Sequence, residues 1–205
     1  IWAGTEPTVI DKENGNYESR KAIIAPMSMG YEYFSELPFE KEIETAVENT
    51  KMKLKAPSVV PGKKDIIIHG NNLYLTIHES CGHPTELDRA LGYEANYAGT
   101  SFMTPEKLGN LKYGSELINL KADRTQKYGL ATRGYDDDGV KTTEFPIVEN
   151  GVFVNYQTTR EQAKNIGNKE SFACAYADSW SHFPIQRMPN ISLLPGKEKR
   201  FSKTG

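Results

Sequence analysis

The sequence feature that most constrains this chain is a pair of histidines, His78 and His83, separated by four residues. Residues 78–83 are His-Glu-Ser-Cys-Gly-His, so Glu79 directly follows the first histidine. The apolar residues before them recur at helical spacing, which predicts that the pair lies on or at the end of a helix. In an ideal α-helix, side chains five residues apart point about 140° away from each other. The two imidazoles can therefore converge only if the helix bulges or ends between them.

The local sequence favours such an irregularity. Gly82 tolerates left-handed and other unusual dihedral angles at a helix end. Pro84 disfavours the helical conformation of the residue before it, so His83 is expected to be extended. We therefore expect the helix to end near residues 81–82 and His83 to turn back towards His78.

Two histidines and a glutamate in this arrangement are the residue types of a catalytic zinc site, which usually has three protein ligands and a water. We predict that His78 and His83 bind zinc and that Glu79 is the catalytic general base. Glu79 would activate a metal-bound water for hydrolysis of an amide bond. The alternative is that each histidine is a helix cap or a hydrogen-bonded core residue.

The hydrophobic pattern along the chain predicts an α+β fold. Helices are predicted from Pro38 to the residue before Pro57, from Asn71 or Asn72 to near residues 81–82, and from Thr85 to Leu91. Predicted strands lie in the stretches 17–25, 65–69, 116–122, 142–148 and 152–156, and a short helix is predicted over 160–166. Asn150-Gly151 predicts a hairpin turn between the strands 142–148 and 152–156. The run Asp65–His69 is typical of a buried strand.

Pro57 and Pro61-Gly62 form a linker between two predicted domains. Residues 1–57 are interpreted as the end of an N-terminal α/β domain with a linker helix. Residues 62–205 are interpreted as a β-rich domain that carries the helix with the metal motif.

Composition excludes several classes of protein. The formal net charge of −2 gives no reason to expect nucleic acid, and no apolar run reaches the about 20 residues of a membrane helix. Two cysteines are too few for a disulfide framework, so a cytoplasmic protein is expected. A basic cluster near the end is interpreted as a solvated tail and comprises Lys197, Lys199, Arg200 and Lys203.

The motif lies in a longer stretch that resembles a known family. His78 to Phe102 is His-Glu-Ser-Cys-Gly-His-Pro-Thr-Glu-Leu-Asp-Arg-Ala-Leu-Gly-Tyr-Glu followed by Ala-Asn-Tyr-Ala-Gly-Thr-Ser-Phe. It resembles the TldD branch of the TldD/PmbA peptidases, once called modulators of DNA gyrase. The similarity spans roughly residues 15–196 and includes Gly114-Ser115, Asp123–Thr125, Gly134–Asp137, Glu149–Gly151 and Arg187–Asn190. The same histidine spacing occurs in dipeptidyl peptidase III, but nothing else here resembles that family.

The resemblance implies a cytoplasmic zinc peptidase that acts on unfolded or extended peptides. It implies a heterodimer with a PmbA-like (TldE) partner that lacks the metal motif, or else a homodimer. Peptides would bind through strand-like backbone pairing, which suits low sequence specificity. The family's third metal ligand is a cysteine in a Cys-Gly-Lys segment near the C-terminus. No such segment occurs here, so the chain is interpreted as an internal fragment lacking that C-terminal part.

Several other residues are weighed as candidates. Cys81, Cys174, His69 and His182 are each expected to be structural rather than ligands. Either Glu86 or Asp88 is expected to orient a ligating imidazole. The segments 97–101 and 187–190 are expected near the cleft, with ordinary packing as the alternative. Asp136–Asp138 lacks the spaced ligands of a calcium loop and is expected to be a turn.

Two other functions remain open beside the peptidase. The first is a catalytically silent peptide-binding or partner subunit with an incomplete metal site, which would bind peptides without cleaving them. The second is direct regulation of DNA topology, which the net charge and the lack of a nucleic-acid-binding motif disfavour.

Overall fold

The structure is a computed structural model that describes residues 1–196, and the basic cluster lies outside these residues. The chain folds into two compact units, Ile1–Asn72 and Leu73–Gly205, which are described separately. Both contain helices and strands, so the predicted α+β class is confirmed. The assignment of residues 1–57 and 62–205 to domains of different type stays a prediction.

The first unit packs one long helix against short antiparallel strands. Its elements are β1 (Gly4–Thr5), β2 (Thr8–Ile10), β3 (Tyr17–Ser19), β4 (Ala22–Ile23), α1 (Tyr31–Glu36) and α2 (Phe39–Lys55). β1 pairs with β4 and β2 pairs with β3, and α2 packs on β2, β3 and β4. Helix α2 begins after Pro38, as predicted, and buries Ala46 and Thr50 against the strands. No helix among the described residues has both the length and the apolar character needed to cross a membrane.

The segment Asp65–His69 is not the buried strand that its apolar residues predict. It forms no strand, and Ile66 and Ile67 are 78% and 82% exposed. A short apolar run shows that a segment suits a strand, but pairing and cover come from the tertiary structure. His69 is also exposed, and its Nδ1 accepts a hydrogen bond from the Asn71 N–H at 3.3 Å.

The second unit is built on a four-stranded antiparallel sheet with the strand order β10-β5-β6-β7. A separate two-stranded sheet pairs β8 with β9. The strands are β5 (Leu120–Asp123), β6 (Glu144–Glu149), β7 (Val152–Phe153), β8 (Ala175–Tyr176), β9 (Ile185–Gln186) and β10 (Asn190–Leu193). The helices are α3 (Gly70–Ile77), which begins just before this unit, α4 (Leu87–Ala90) and α5 (Arg160–Ala163). Short 3₁₀ turns at His83–Thr85, Pro105–Lys107 and Lys164–Ile166 complete the set.

Two apolar clusters hold the segment that contains the histidines. The first lies on the sheet and includes Cys81, which comes from between the two histidines, beside Phe145 and Ile147. The second includes Leu87 from α4 and Tyr156. The motif is therefore anchored in the core at its middle and at its C-terminal end.

The hairpin predicted at Asn150-Gly151 is present between β6 and β7. Asn150 has φ +48° and Gly151 has φ +79°, conformations that glycine and asparagine adopt most readily. A Cβ on Gly151 would lie 2.5 Å from the carbonyl oxygen of Gly114 and 2.6 Å from that of Ser115. Glycine is therefore required there both for the turn and for the close backbone approach. Asp136–Asp138 is also a turn, in which the Asp136 carboxylate accepts backbone N–H bonds from Asp138 and Val140.

Candidate metal centre

The helix that carries the histidines continues through both of them. At His78 helix α3 passes into a π-helical turn, His78–Gly82, and the His83 N–H donates to the carbonyl of His78. Gly82 (φ −63°, ψ −65°) and His83 (φ −60°, ψ −43°) are both right-handed helical. The predicted helix end near residues 81–82 and the predicted extended His83 are therefore wrong. A π-turn closes between residues five apart, so it places residues 78 and 83 one above the other.

Pro84 and three side chains explain why the turn widens instead of ending. Pro84 has no N–H and cannot form the α-helical hydrogen bond to the carbonyl of Ser80. Carbonyl groups at the end of a helical turn need other hydrogen-bond donors. The carbonyls of Ser80, Cys81 and Gly82 each accept a hydrogen bond from a side chain. The pairs are Tyr113 Oη to Ser80 O (2.7 Å), Thr85 Oγ1 to Cys81 O (2.7 Å) and Gln157 Nε2 to Gly82 O (2.6 Å).

The π-turn brings the predicted site residues together. The imidazole rings of His78 and His83 have centroids 4.5 Å apart and are nearly perpendicular, at 89°. One donor atom from each of His78, Glu79 and His83 lies within 4.8 Å of the others. Among residues 1–196, this is the one group of three or more His, Cys, Asp and Glu side chains close enough to hold a metal ion. His78 and Glu79 are exposed, whereas His83 is half-buried.

Glu86, rather than Asp88, contacts the site histidine. Glu86 Oε2 lies 2.7 Å from His83 Nδ1, and its carboxylate also pairs with Arg89 at 3.3 Å. Arg89 in turn pairs with Glu94 at 2.9 Å and donates to the carbonyl of Ala98 at 3.1 Å. Arg89 Nη2 also lies 3.1 Å from His83 Nδ1, but that nitrogen cannot donate and accept at once. Glu86 is the shorter contact, and when its carboxylate is ionised, Nδ1–H donates to it and Nε2 keeps its lone pair.

The environment of His83 favours the neutral form of its imidazole. Burial and the nearby charge of Arg89 lower its pKa below the usual value, and neutral imidazole is the form that binds metals. Burial raises the pKa of Glu86 to about 7, although the adjacent Arg89 opposes this rise. Burial and the charges of Glu94 and Glu86 raise the pKa of Asp88 to about 7 as well.

A cavity of about 350 Å³ opens beside the two histidines. Its wall is mostly basic and apolar. The lining consists of His78, His83, Glu86, Arg124, Leu130, Ala131, Arg133, Tyr176, Arg187 and Met188. Arg187 and Met188 belong to the segment 187–190 that was expected near the cleft. The segment 97–101 does not line the cavity, but it contacts residues next to the site: the Ala98 carbonyl accepts from Arg89, and Ser101 Oγ donates to the carbonyl of Pro84 at 2.6 Å.

The remaining candidates lie outside the group formed by His78, Glu79 and His83. Cys81 and Cys174 are free and buried, and Cys81 Sγ lies 3.0 Å from the Tyr113 hydroxyl. His182 is exposed and pairs with Asp178 at 2.5 Å. Sequence reasoning missed Tyr113 and Gln157 as supports of the π-turn. No local pattern identifies them, because Gln157 is 75 residues from the carbonyl it contacts.

Comparison with known proteins places this geometry in a family. Residues 61–203 match the family described as PmbA/TldA metallopeptidase C-terminal domain. The chain is 28% identical to the metalloprotease TldD homolog of Buchnera aphidicola, over 81% of this chain and 32% of that protein. It is 31% identical to a metalloprotease of Methanothermobacter thermautotrophicus, over 82% of this chain and 34% of that protein. A zinc metalloprotease TldD homolog of Saccharolobus solfataricus is 28% identical, over 70% of this chain and 30% of that protein.

Solved structures share the fold. A Thermotoga maritima protein, named as a candidate modulator of a DNA gyrase, has a TM-score of 0.69 and 20% identity. TldE from Thermococcus kodakarensis has a TM-score of 0.62 and 21% identity. Each comparison covers 96% of this chain and 41% of the other. The chain spans about a third of the length of the relatives named above. Because the family match covers residues 61–203, this chain belongs to the PmbA/TldD family of metallopeptidases.

Proposed function

We propose that this chain carries the catalytic centre of a zinc-dependent peptidase, with His78 and His83 as metal ligands and Glu79 as general base. The observation that supports this most is the π-turn, because it makes a spacing of five residues compatible with two converging imidazoles. The three donor atoms within 4.8 Å of one another give the cluster a size suited to one ion.

The donor chemistry fits zinc. Imidazole nitrogen is a preferred zinc ligand, and the neutral form of His83 is favoured, with Nε2 available while Nδ1 is bound to Glu86. When bound, zinc would supply Lewis acidity, which ionises water near neutral pH and polarises a peptide carbonyl.

Glu79 has the position of a general base. Its carboxylate is exposed, follows the first ligand directly and lies 3.9 Å from Nε2 of His78. In the proposed reaction Glu79 takes a proton from the attacking water and passes it to the leaving amine. Glu86 and Arg89 hold the ring of His83 in place.

Extended or unfolded peptides are the proposed substrates. Arg187 and Met188 line the cavity directly before strand β10, which ends the four-stranded sheet. Within the described residues β10 pairs on one side alone, so its other edge could accept a peptide backbone. Peptide cleavage is also what the names of the metalloprotease relatives suggest.

The proposal extends to partner and location. The similarity in fold to TldE supports a partner subunit of that type, with a second copy of this chain as the alternative. The two free cysteines support a reducing, cytoplasmic location. The charge of −2 supports a protein that does not act on nucleic acid directly.

The test is the zinc content of the full-length protein, measured by elemental mass spectrometry together with peptide hydrolysis. Wild type should contain near-stoichiometric zinc, and His78→Ala or His83→Ala should lose it. His182→Ala is the matched control and should retain zinc, because His182 is an exposed histidine paired with Asp178. Glu79→Gln should retain zinc and lose about 10²–10⁴-fold in hydrolysis.

Full activity in Glu79→Gln would contradict the role given to that carboxylate. Zinc retained in both His78→Ala and His83→Ala would contradict the ligand assignment. Peptide binding without zinc and without cleavage in wild type would instead support a silent peptide-binding subunit.

A further inference from the structure

Arg124 is a buried cation that forms no ion pair with an acidic side chain of residues 1–196. It is 2% exposed, at the end of β5, and it lines the cavity beside the two histidines. Its guanidinium donates to the carbonyls of Arg187 (2.9 Å) and Ala131 (3.4 Å), while its Nε–H has no partner among the described residues. A buried charge is costly unless an opposite charge or several hydrogen bonds compensate it.

Two more guanidinium groups line the same cavity. Arg187 is partly buried and lines the cavity together with His83, and its carbonyl accepts the hydrogen bond from Arg124. Arg133 is exposed and lies 4.9 Å from the ring centroid of Tyr176. Neither Arg133 nor Arg187 forms an ion pair with an acidic side chain of residues 1–196.

Among residues 1–196, one acid lines the cavity, and it does not neutralise these groups. Glu86 is bound to His83 and Arg89, which lie on its own side of the site. The described lining of the cavity therefore contains three guanidinium groups and one carboxylate, and that carboxylate is already paired. A guanidinium group matches the two oxygens of a carboxylate in shape and charge, and this pairing is stronger where water is partly excluded.

We infer that the cavity beside His78 and His83 binds a carboxylate of the peptide substrate, with Arg187 as the main contact and Arg124 and Arg133 as supporting charges. The inference rests on the proposed peptidase function and adds a substrate class to it. Peptides with a negative group near the cleavage site would be preferred over neutral ones.

A peptide can supply that carboxylate from its C-terminus or from an acidic side chain. The two sources share the same chemistry, and they differ in the position of the group relative to the cleaved bond. A C-terminal preference would make the protein trim chain ends, whereas a side-chain preference would direct internal cleavage.

The experiment is calorimetric titration of three acetylated alanine peptides of equal length into the full-length Glu79→Gln protein, which is designed to bind without cleaving. The first peptide has a free C-terminal carboxylate, the second has a C-terminal amide, and the third is the amide with one internal aspartate. Titrations are made with zinc-loaded and with zinc-free protein, because a carboxylate can also bind the metal directly. Binding by arginine predicts that the preference survives without zinc.

The expected result is that one or both anionic peptides bind about tenfold or more tightly than the neutral peptide. Tighter binding of the first peptide identifies the C-terminus as the source, and tighter binding of the third identifies the side chain. Adding salt should reduce the preference, because the contacts are ionic.

Arg187→Gln, made in the same Glu79→Gln protein, should remove most of the preference. Arg187→Lys should keep part of it, since it retains the charge but not the fork of donors. Arg160→Gln is the matched control, because Arg160 is an exposed arginine outside the cavity lining, and it should leave the preference unchanged.

Equal affinity of the Glu79→Gln protein for all three peptides would overturn the inference. This outcome is measured without any arginine variant, so the misfolding of such a variant cannot obscure it. A preference that is unchanged in Arg187→Gln, or that exists only with zinc bound, would also overturn it. Failure of the proposed function is distinguishable, because it shows as missing zinc or missing hydrolysis in wild type while these binding data can still be measured.

Discussion

The carboxylate of Glu86 lies 2.7 Å from Nδ1 of His83, three residues before it, and is 1% exposed. This contact fixes the ring orientation and leaves Nε2 of His83 available on the opposite side of the imidazole. Glu86 is itself held by Arg89, and Arg89 is held by Glu94. One proposed ligand is therefore positioned by a chain of buried charges, whereas the exposed His78 has no such support among the described residues.

The first prediction concerns Glu86. Glu86→Gln should weaken zinc binding about 10- to 100-fold, because it removes the negative charge that orients His83 and increases its basicity. Competition with a chromogenic chelator measures the affinity. Asp88→Asn is the control, since Asp88 is a buried acid two residues away that does not contact His83. Equal losses in the two variants would contradict a specific role for Glu86.

The second prediction concerns the support of the π-turn. Gln157 is fully buried and donates to the carbonyl of Gly82 at 2.6 Å and to Thr85 Oγ1 at 2.8 Å. Gln157→Leu has a similar volume but removes the shorter of the two contacts to that carbonyl and leaves only Thr85 Oγ1 at 3.1 Å, so it should destabilise the protein by about 1–3 kcal/mol. Zinc affinity should fall as well, because the turn that aligns the histidines is loosened. Denaturant unfolding and zinc titration measure the two effects.

Gln126→Leu is the surface control for that variant and should change neither quantity, since Gln126 is exposed. A stable Gln157→Leu protein with unchanged zinc affinity would show that the π-turn does not depend on this hydrogen bond.

The third prediction compares two glycines with the same φ of +79°, Gly151 and Gly167. Gly167→Ala meets no atom within 4 Å and should cost only about 1–2 kcal/mol, for the left-handed conformation. Gly151→Ala would bring a Cβ to 2.5 Å from the carbonyl oxygen of Gly114, so overpacking should add about 1–3 kcal/mol. Denaturation midpoints give the difference. Equal midpoints would contradict the close backbone approach at the hairpin.

The fourth prediction concerns thiol reactivity. Burial raises the pKa of Cys174 to about 11, although the nearby Arg124 opposes the rise, and Cys81 is buried in the sheet core. Neither thiol should react with iodoacetamide in the native protein near neutral pH, and both should react after unfolding. Mass spectrometry counts the modified cysteines. Rapid reaction of either thiol when a chelator removes zinc would show that it is a ligand or is uncovered by metal loss.

The raised pKa of Cys174 also determines how this residue makes the stability of the protein depend on pH. The folded state holds the proton of Cys174 more tightly than the unfolded chain, whose thiol pKa is about 8.5. This contribution to stability is present in full below that value and is lost as the pH rises towards about 11. Cys174→Ala should therefore flatten the fall in stability between these two pH values.

The sequence by itself determined the elements that depend on near neighbours in the chain. The spacing of apolar residues predicted helix α2, and Asn150-Gly151 predicted the hairpin, because helix periodicity and turn conformations are properties of short segments. The sequence also showed that His78 and His83 cannot converge on a regular α-helix. It identified the candidate site residues, but it did not show how the helix accommodates them.

Only the tertiary structure decided the rest. The π-turn forms because Tyr113 and Gln157, distant in sequence, donate to the carbonyls that a helix ending at Pro84 would otherwise leave unpaired. The run Asp65–His69 stays exposed because an apolar segment becomes a buried strand only where a neighbour covers it. Local propensity sets which conformations a segment can adopt, and long-range packing and hydrogen bonding select one of them.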